Sequence, residues 1–196
     1  MTGLRVTAGT LRGRRIPVPS REVRPTSERA RQAYFNIVAG RVDGAHFLDL
    51  FSGSGAFAFE AVSRGAAEAV AIESSRKQAE MIQQLATEWG VPLRAIAGDV
   101  FRSLGQLRGR SFDLVYADPP YDFARYDELL QTIEERLALE EGALVAIEQR
   151  RNAPLPTATR RLRFLRSAEY GEVWIRFFEA GSAESATGDP EATSIS

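Results

Sequence analysis

Short apolar runs alternate with amphipathic stretches along the chain from residue 45 to residue 151. The apolar runs predict β-strands at "HFLDLF", "AEAVAIE", "LRAIAGD", "FDLVYAD" and "ALVAIEQ". The stretches between them have apolar positions at helical spacing and predict helices at "GAFAFEAVSR", "SRKQAEMIQQLATEW", "VFRSLGQL" and "YDELLQTIEERL". Because strands joined by crossover helices pair in parallel, the pattern predicts an α/β fold with a doubly wound, mostly parallel sheet and helices on both faces.

The first forty residues follow a different pattern. The segments "LRVTAG" and "RRIPVP" surround "TLRG" and predict a small hairpin. The apolar positions that follow have helical spacing and predict one helix, which Thr26 or Ser27 can cap and which ends at Gly40. We therefore expect residues 1–40 to form a hairpin-plus-helix extension in front of a body over residues 41–180.

The C-terminal part of the body also departs from the alternation. The stretch "RLRFLRSAEYGEVWIRFFE" predicts two strands joined around Tyr170 and Gly171, which would give the sheet an antiparallel edge. The crossover before it is short and contains prolines, so no regular helix is expected there. Residues 181–196 are mostly small and polar, and we expect them to form a disordered tail.

Composition narrows the class of protein. The 196 residues are 44% hydrophobic with a formal net charge of -1, which suits one globular domain with a small appendage. The chain has no cysteine, so disulfides and cysteine metal sites are excluded, and no metal site is expected. No apolar run approaches the roughly 20 residues of a membrane span, and the N-terminus lacks the apolar core of a signal peptide. We expect a cytoplasmic monomer.

The near-zero net charge hides a basic N-terminal segment. Residues 1–31 carry eight arginines against Glu22 and Glu28, so the rest of the chain is acidic. A basic extension on an acidic body favours a polyanionic partner such as nucleic acid. The candidate residues for binding RNA phosphates are Arg12, Arg14, Arg15, Arg24 and Arg29. Alternatively, the last two form ion pairs with acidic residues of the body and hold the extension in place.

A glycine-containing turn follows the first strand of the body. The stretch "LDLFSGSGAFAFEA" includes Asp49, Phe51, Gly53, Ser54 and Gly55 between the predicted strand and the predicted helix. Glycines at this point permit a tight turn and let the backbone approach a ligand at the start of the helix. The motif alone is weak, but its position after a strand and before a helix predicts a nucleoside cofactor site.

Carboxylates at the ends of the next two strands support that prediction. Glu73 lies 20 residues after Gly53, the usual interval for a carboxylate that binds a ribose diol. Asp99 ends the third strand, where its side chain and the backbone of Val100 can face an adenine edge. The alternative is that Glu73 and Asp99 only cap the helices that follow them. Together with Asp49, these residues make three acids at successive strand ends, which favours the cofactor site.

The same acids distinguish between nucleoside cofactors. A dinucleotide needs a phosphate cradle, and Asp49 beside the turn would repel a pyrophosphate. S-adenosylmethionine carries an ammonium and a sulfonium and no phosphate. An acidic turn therefore favours S-adenosylmethionine.

The sequence "DPPY" follows the fourth strand of the body. Two prolines stop the strand and stiffen the loop, so Asp118, Pro119, Pro120 and Tyr121 are expected to border the same crevice. The Asp118 carboxylate and the Pro119 carbonyl can accept the two hydrogens of a nucleobase amine and direct its lone pair to a methyl group. Tyr121 can stack on a base that has left its helix. The alternative is an ordinary turn, because Asp and Pro favour turns.

Together the two motifs resemble those of class I S-adenosylmethionine-dependent amino-methyltransferases, a Rossmann-like family. The stretches "RVTAGTLRGRRIPVPSREVRPTSERARQAYFNIV" and "YGEVWIRFFE" are similar to the first and last segments of the bacterial 16S ribosomal RNA guanine-N2 methyltransferases, from about Arg5 to Glu179. The resemblance implies methyl transfer to the N2 amine of a specific guanine in 16S rRNA. The implied partner is the small ribosomal subunit or its assembly intermediate.

The resemblance also implies roles by position. The glycine-turn motif matches Asp49, Gly53 and Gly55, the ribose-binding acid matches Glu73, the adenine-side acid matches Asp99, and the catalytic loop matches Asp118 to Tyr121.

Three alternatives stay open at this point. The same chemistry can act on another amine, such as adenine N6 in DNA or a base in tRNA, because "DPPY" does not select the base. A nucleotide-dependent oxidoreductase is disfavoured by "DPPY" and by Asp49. A non-catalytic RNA-binding module would keep the fold and bind RNA without transferring a methyl group.

Overall fold

A computed structural model describes residues 3–18, 25–151, 153–170 and 173–182. Its elements are, in chain order, β1 (Gly3–Arg5), β2 (Arg15–Pro17), α1 (Pro25–Ile37), a 3-10 turn (Ala39–Arg41), β3 (His46–Leu50), α2 (Ala56–Ser63), β4 (Glu68–Glu73), α3 (Arg76–Trp89), β5 (Leu93–Ala97), α4 (Val100–Gln106), β6 (Leu114–Ala117), α5 (Tyr126–Arg136), β7 (Leu144–Arg150), β8 (Leu162–Tyr170) and β9 (Val173–Ala180).

Seven strands form one sheet in the order β5-β4-β3-β6-β7-β9-β8, and β1 and β2 form a separate antiparallel pair. The strands from β5 to β7 are parallel, whereas β9 runs antiparallel to both β7 and β8. The predicted doubly wound sheet with an antiparallel edge is confirmed. The chain leaves β3 toward β4 on one side and returns to β6 on the other, so a topological switch point lies between β3 and β6.

The central strands β3, β4, β6 and β7 are buried on both faces because they are apolar at most positions. Along β3, Phe47 packs into the core that contains residues of α1, α2 and α3, while Leu48 packs into the core that contains residues of α4 and α5. The alternation follows from the two-residue period of a strand. Helices therefore cover both faces, as predicted.

The N-terminal hairpin is held against α2 by a buried carboxylate. Glu60 is fully buried and accepts hydrogen bonds from Thr7 N at 2.8 Å, Thr7 Oγ1 at 2.5 Å and Ala8 N at 3.1 Å. Arg64 Nε donates to Glu60 at 2.8 Å, and Arg31 Nε lies 3.8 Å from it. These contacts fix the hairpin to the helix that begins at the glycine turn.

Two local predictions have different outcomes. Helix α1 begins at Pro25, so Thr26 and Ser27 lie inside its first turn and the predicted cap position is wrong. Proline suits the first helical position, where its missing N–H needs no partner. The crossover from β7 to β8 contains no regular helix in its described residues, as expected.

Some predictions fall on residues that the structure does not describe, or stay untested. Arg24 lies outside the described residues, and the proposed tail is described only as far as residue 182. The division into an extension, a body and a tail stays a prediction. Within the described ranges, no helix is long and apolar enough to cross a membrane.

Candidate cofactor and catalytic site

The glycine turn between β3 and α2 is a strained and closely packed segment. Phe51, Gly53 and Gly55 all have positive φ, at 61°, 55° and 79° respectively, and Ser54 lies half-buried between the two glycines. A Cβ on Gly55 would approach the side chain of Ile82 on α3 to 3.0 Å. Glycine at position 55 therefore provides both the left-handed backbone and the close approach of the turn to α3.

Backbone N–H groups of this turn are already paired with carboxylates. Gly53 N donates to Glu73 Oε2 at 2.8 Å, and Ala58 N donates to Asp49 Oδ2 at 3.2 Å. In a dinucleotide-binding fold, N–H groups at this position bind the pyrophosphate. Here they face two acidic side chains, so the turn suits a cationic ligand better than an anionic one.

Asp49 is nearly inaccessible to solvent at the end of β3. Its Oδ2 accepts a hydrogen bond from Ser52 Oγ at 2.6 Å in addition to that from Ala58 N. Burial raises the pKa of Asp49 to about 7, these two hydrogen bonds lower it in part, and the negative charge of Glu73 raises it further. A cation at the turn would stabilise the ionised form of this carboxyl group.

Glu73 stabilises the turn and the start of α3. Besides accepting from Gly53 N, it accepts from Ser75 N at 2.7 Å and from Ser74 Oγ at 3.1 Å. It is 7% exposed at the end of β4. A carboxylate has about four acceptor positions, so a ribose hydroxyl can be added to these three bonds. Its ribose-binding role stays a prediction.

Asp99 caps α4 in this structure. Its Oδ1 accepts from Arg102 N at 3.1 Å, and its side chain is exposed. Val100, the first residue of α4, is buried. Asp99 therefore caps α4, and its position beside an adenine edge, with the backbone of Val100, stays a prediction.

The sheet brings the "DPPY" loop next to the glycine turn. β6 pairs with β3, and Asp118 N donates to the carbonyl of Leu50 at 3.3 Å, directly before the turn. Asp118 and Pro120 are exposed, whereas Pro119 is buried. Tyr121 is 73% exposed, which is unusual for a large aromatic ring. The two predicted motifs therefore share one edge of the sheet.

An aromatic cluster that the motifs did not reveal joins the loop to the turn. Phe123 N donates to the Pro120 carbonyl at 2.9 Å, so the loop closes as a turn. The ring of Phe123 lies 5.4 Å from Phe51, 6.4 Å from Phe101 and 5.1 Å from Tyr126, measured between ring centroids. The contact with Phe51 holds the loop against the glycine turn.

Arg150 is a second residue that the sequence did not reveal. It ends β7, and its guanidinium lies over the Tyr121 ring while Nη2 donates to the Tyr121 carbonyl. A basic residue at the end of the strand next to β6 would have indicated Arg150 from the sequence. The sequence pattern, however, does not show that β7 is the neighbour of β6.

A hydrogen-bonded pair of a buried tyrosine and a half-buried carboxylate lies next to the loop on β6 and β7. Tyr116 on β6 donates to Glu148 on β7 at 2.5 Å and stacks on Phe57 with centroids 3.8 Å apart. Burial raises the pKa of Tyr116 well above its ordinary value, and the charges of Glu148 and Asp118 raise it further. Tyr116 therefore stays a neutral hydrogen-bond donor below the site.

The candidate RNA-binding arginines of the hairpin lie apart from this crevice. Arg12, Arg14 and Arg15 are exposed around the hairpin tip, where Thr10 N donates to the carbonyl of Ser63 at 2.8 Å. Ser63 is the last residue of the eight-residue α2, so the tip lies about 12 Å along that helix from the turn. The Arg14 guanidinium covers the Trp89 ring at 5.3 Å.

Two arginines of α1, Arg29 and Arg31, differ in their contacts with the body. Arg29 is exposed and forms no salt bridge within the described part of the chain. Arg31, which was not singled out from the sequence, is the buried partner of Glu60, and its Nη2 donates to the Arg5 carbonyl at 2.7 Å. The ion pair that holds the extension is therefore made by Arg31.

Comparison with known proteins agrees with this geometry. Residues 4–179 match the profile of the family described as conserved hypothetical protein 95. The chain is 34% identical, over 90% of its length and 89% of the relative's, to the ribosomal RNA small subunit methyltransferase D of Escherichia coli. The chain belongs to the family described as conserved hypothetical protein 95. The resemblance stated from the sequence motifs is thus confirmed at the level of the family.

Solved structures agree on the fold. The putative methyltransferase yhhF from Escherichia coli has a TM-score of 0.82 and 32% identity, covering 92% of this chain and 99% of its own. An RNA methyltransferase from Salinibacter ruber, in complex with S-adenosyl-L-homocysteine, has a TM-score of 0.58 and 18% identity, covering 90% of this chain and 98% of its own. The predicted methyltransferase fold is confirmed.

Proposed function

We propose that this protein transfers a methyl group from S-adenosylmethionine to the exocyclic N2 amine of a specific guanine in 16S rRNA. The observation that carries the proposal is the hydrogen bond from Asp118 N to the Leu50 carbonyl. It supports the proposal because the "DPPY" loop lies beside the glycine turn, and a cofactor at the turn and an amine at Asp118 would then be neighbours.

The paired N–H groups of the turn support S-adenosylmethionine as the cofactor. Gly53 N and Ala58 N are bonded to Glu73 and Asp49, which removes donors that a pyrophosphate needs. The same carboxylates favour a ligand that carries an ammonium and a sulfonium. The Salinibacter protein binds the demethylated product of this cofactor, which agrees with the proposal.

The loop residues then perform the transfer. When bound, S-adenosylmethionine supplies a methyl group whose bond to sulfur breaks, with the electron pair kept by sulfur, as the guanine N2 forms a bond to carbon. The Asp118 carboxylate and the Pro119 carbonyl accept the two N2 hydrogens and orient the lone pair. As N2 becomes cationic, both acceptors stabilise the charge, and Asp118 or water takes the excess proton. Tyr121 stacks on the flipped base.

The choice of RNA rests on the relatives and the extension. The Escherichia coli relative is named as acting on small subunit ribosomal RNA, and the exposed Arg12 and Arg15 suit phosphate contacts. We therefore expect 16S rRNA in the small subunit or its assembly intermediate as partner, a cytoplasmic location and a monomer. Adenine N6 in DNA or a base in tRNA is the second candidate, since the loop itself does not select the base.

An Asp118→Ala variant separates catalysis from binding. Removing the acceptor is expected to lower the single-turnover rate of methyl transfer more than a hundredfold, roughly the loss of one charge-stabilising group. The Kd for S-adenosylmethionine, measured by calorimetry, should stay within a few fold. The control is Glu135→Ala, which removes an exposed carboxylate near the C-terminal end of α5 and should keep near-normal activity.

Two results would contradict the proposal in different ways. Methyl transfer that survives Asp118→Ala would refute the role of the loop. A wild type that binds both RNA and the cofactor without transferring a methyl group would indicate a non-catalytic module.

A further inference from the structure

A cavity of about 310 Å³ adjoins the "DPPY" loop on the side of β7. Its lining is mainly aromatic and apolar, and consists of Tyr121, Asp122, Phe123, Ala124, Tyr126, Arg150, Ala153 and Pro154. Cavities of this size with a mainly aromatic and apolar lining commonly hold small-molecule ligands. Asp118 does not line the cavity, whereas Tyr121 does, so a base that begins at Asp118 and stacks on Tyr121 extends into it.

Arg150 is the one positive charge among the described residues that line this cavity. It is exposed, and it is held by the contact with the Tyr121 ring and the hydrogen bond to the Tyr121 carbonyl. Both the ring and the guanidinium therefore face the position that a stacked base would take. A base that occupies this face of Tyr121 replaces the guanidinium there and brings its own edge beside it.

Asp118 and Arg150 both act electrostatically on the buried Tyr126. Burial raises the pKa of Tyr126, the charge of Arg150 lowers it, and the charge of Asp118 raises it. Tyr126 lines the cavity, so the amine-binding carboxylate and the arginine act on the same wall of the site.

The loop lacks a group that identifies the base. Asp118 and Pro119 recognise any amine with two hydrogens, and Tyr121 stacks on any ring. Both purines present the N7 acceptor, but guanine has the O6 acceptor beside it, and an arginine fork is the side chain that most often binds the O6 and N7 pair. Adenine presents an amine where guanine has O6, so the same fork would face a donor and reject it.

We propose that Arg150 selects guanine by donating to its O6 and N7 while N2 is held at Asp118. This inference rests on the proposed function and adds the residue that determines its specificity. With N2 at one end of the Watson–Crick edge, O6 lies at the other end, over the cavity that contains Arg150. The hydrogen bond to the Tyr121 carbonyl keeps the guanidinium beside Tyr121 when a base takes its place over the ring.

The test uses 2-aminopurine, which keeps the N2 amine and N7 of guanine but lacks O6. Small subunits are reconstituted with 16S rRNA that carries either guanine or 2-aminopurine at the methylated position, and kcat/KM is measured for both. The wild type should prefer guanine by about tenfold to a hundredfold, the usual value of one arginine–guanine contact. Arg150→Met should lose activity on guanine by that factor and treat the two bases equally.

Controls separate selection from folding. Arg151→Met removes the adjacent exposed arginine and should keep the full preference for guanine. Arg150→Lys keeps the charge without the fork and should show a reduced preference for guanine. If Arg150→Met fails to bind S-adenosyl-L-homocysteine normally, the inference is tested with Arg150→Lys instead. A guanine preference that is unchanged in both Arg150 variants would overturn the inference alone. A wild type that methylates neither base would overturn the proposed function as well.

Discussion

At the scale of single residues, Asp49 is a buried carboxyl group whose burial makes the stability of the protein depend on pH. Its carboxyl group is buried with two hydrogen bonds, which do not offset the loss of solvent, and its pKa rises to about 7. In the unfolded chain the same group ionises at its ordinary pKa of 3.8. Between these two values the folded state holds a proton that the unfolded state has released. The contribution of Asp49 to the free energy of unfolding therefore falls as pH rises from about 4 to about 7.

An Asp49→Asn variant should remove this dependence. The amide oxygen can still accept from Ser52 and Ala58, but it cannot titrate. From about pH 5 to about pH 8, the wild type should lose on the order of 2 kcal/mol of unfolding free energy relative to the variant, at about 1.4 kcal/mol per pKa unit. Urea unfolding at both pH values measures the difference. Parallel pH profiles of the two proteins would show that Asp49 is ionised throughout.

At the scale of elements, the hairpin packs so closely on α2 at Gly9 that there is no room for a side chain at this position. Gly9 has a φ of 76°, and a Cβ there would lie 1.6 Å from the carbonyl oxygen of Ser63. Ser63 Oγ also accepts from Leu11 N at 2.9 Å and donates to the Ala8 carbonyl at 2.5 Å. Backbone groups of the hairpin therefore dock on Ser63 at the end of α2, next to the buried Glu60.

Gly9→Ala should detach the hairpin without unfolding the body. Because the clash is with backbone rather than with a flexible side chain, the hairpin must move away from α2. Limited proteolysis should then cut within the first forty residues, while binding of S-adenosylmethionine stays within a few fold. Gly13→Ala is the matched control, since Gly13 also has positive φ but has open space around it. Equal protease resistance in the two variants would contradict this account of docking.

The elements themselves were largely predictable, because the periods of apolar positions are strong along this chain. The strand ends of Asp49, Glu73, Asp99 and Asp118 follow from those periods and from the rule that parallel strands end at one edge. Contacts between distant segments were not predictable. Neither the pairing of Glu60 with the hairpin nor the position of Arg150 beside Tyr121 leaves a local pattern, since each depends on which elements become neighbours.

At the scale of the whole molecule, the proposed catalytic crevice and the basic hairpin tip lie at different places. The crevice is at the carboxyl ends of the parallel strands, and the hairpin tip is at the far end of α2. An RNA that reaches both must extend over the face covered by α1, α2 and α3. Such contacts supply affinity that depends on salt and carry little sequence information.

A double variant, Arg12→Gln with Arg15→Gln, should reduce the salt dependence of RNA binding. The slope of log K against log salt should fall by about 1 to 2, because each lost phosphate contact contributes about 0.7 to 0.9. Arg14 is left in place because it packs on Trp89. Arg108→Gln with Arg136→Gln, on the face covered by α4 and α5, is the control and should leave the slope unchanged. Equal slopes in the wild type and in both double variants would show that Arg12 and Arg15 of the extension do not contact the RNA.

The most direct test of the central claim is methyl transfer from labelled S-adenosylmethionine to small ribosomal subunits that lack their methylations. The RNA is then digested with nuclease and its nucleosides are identified by mass spectrometry. We predict label in N2-methylguanosine at one position of 16S rRNA, which would establish the cofactor, the atom and the substrate together. Label in N6-methyladenosine, or clear cofactor binding with no label in ribosomal RNA, would contradict the claim.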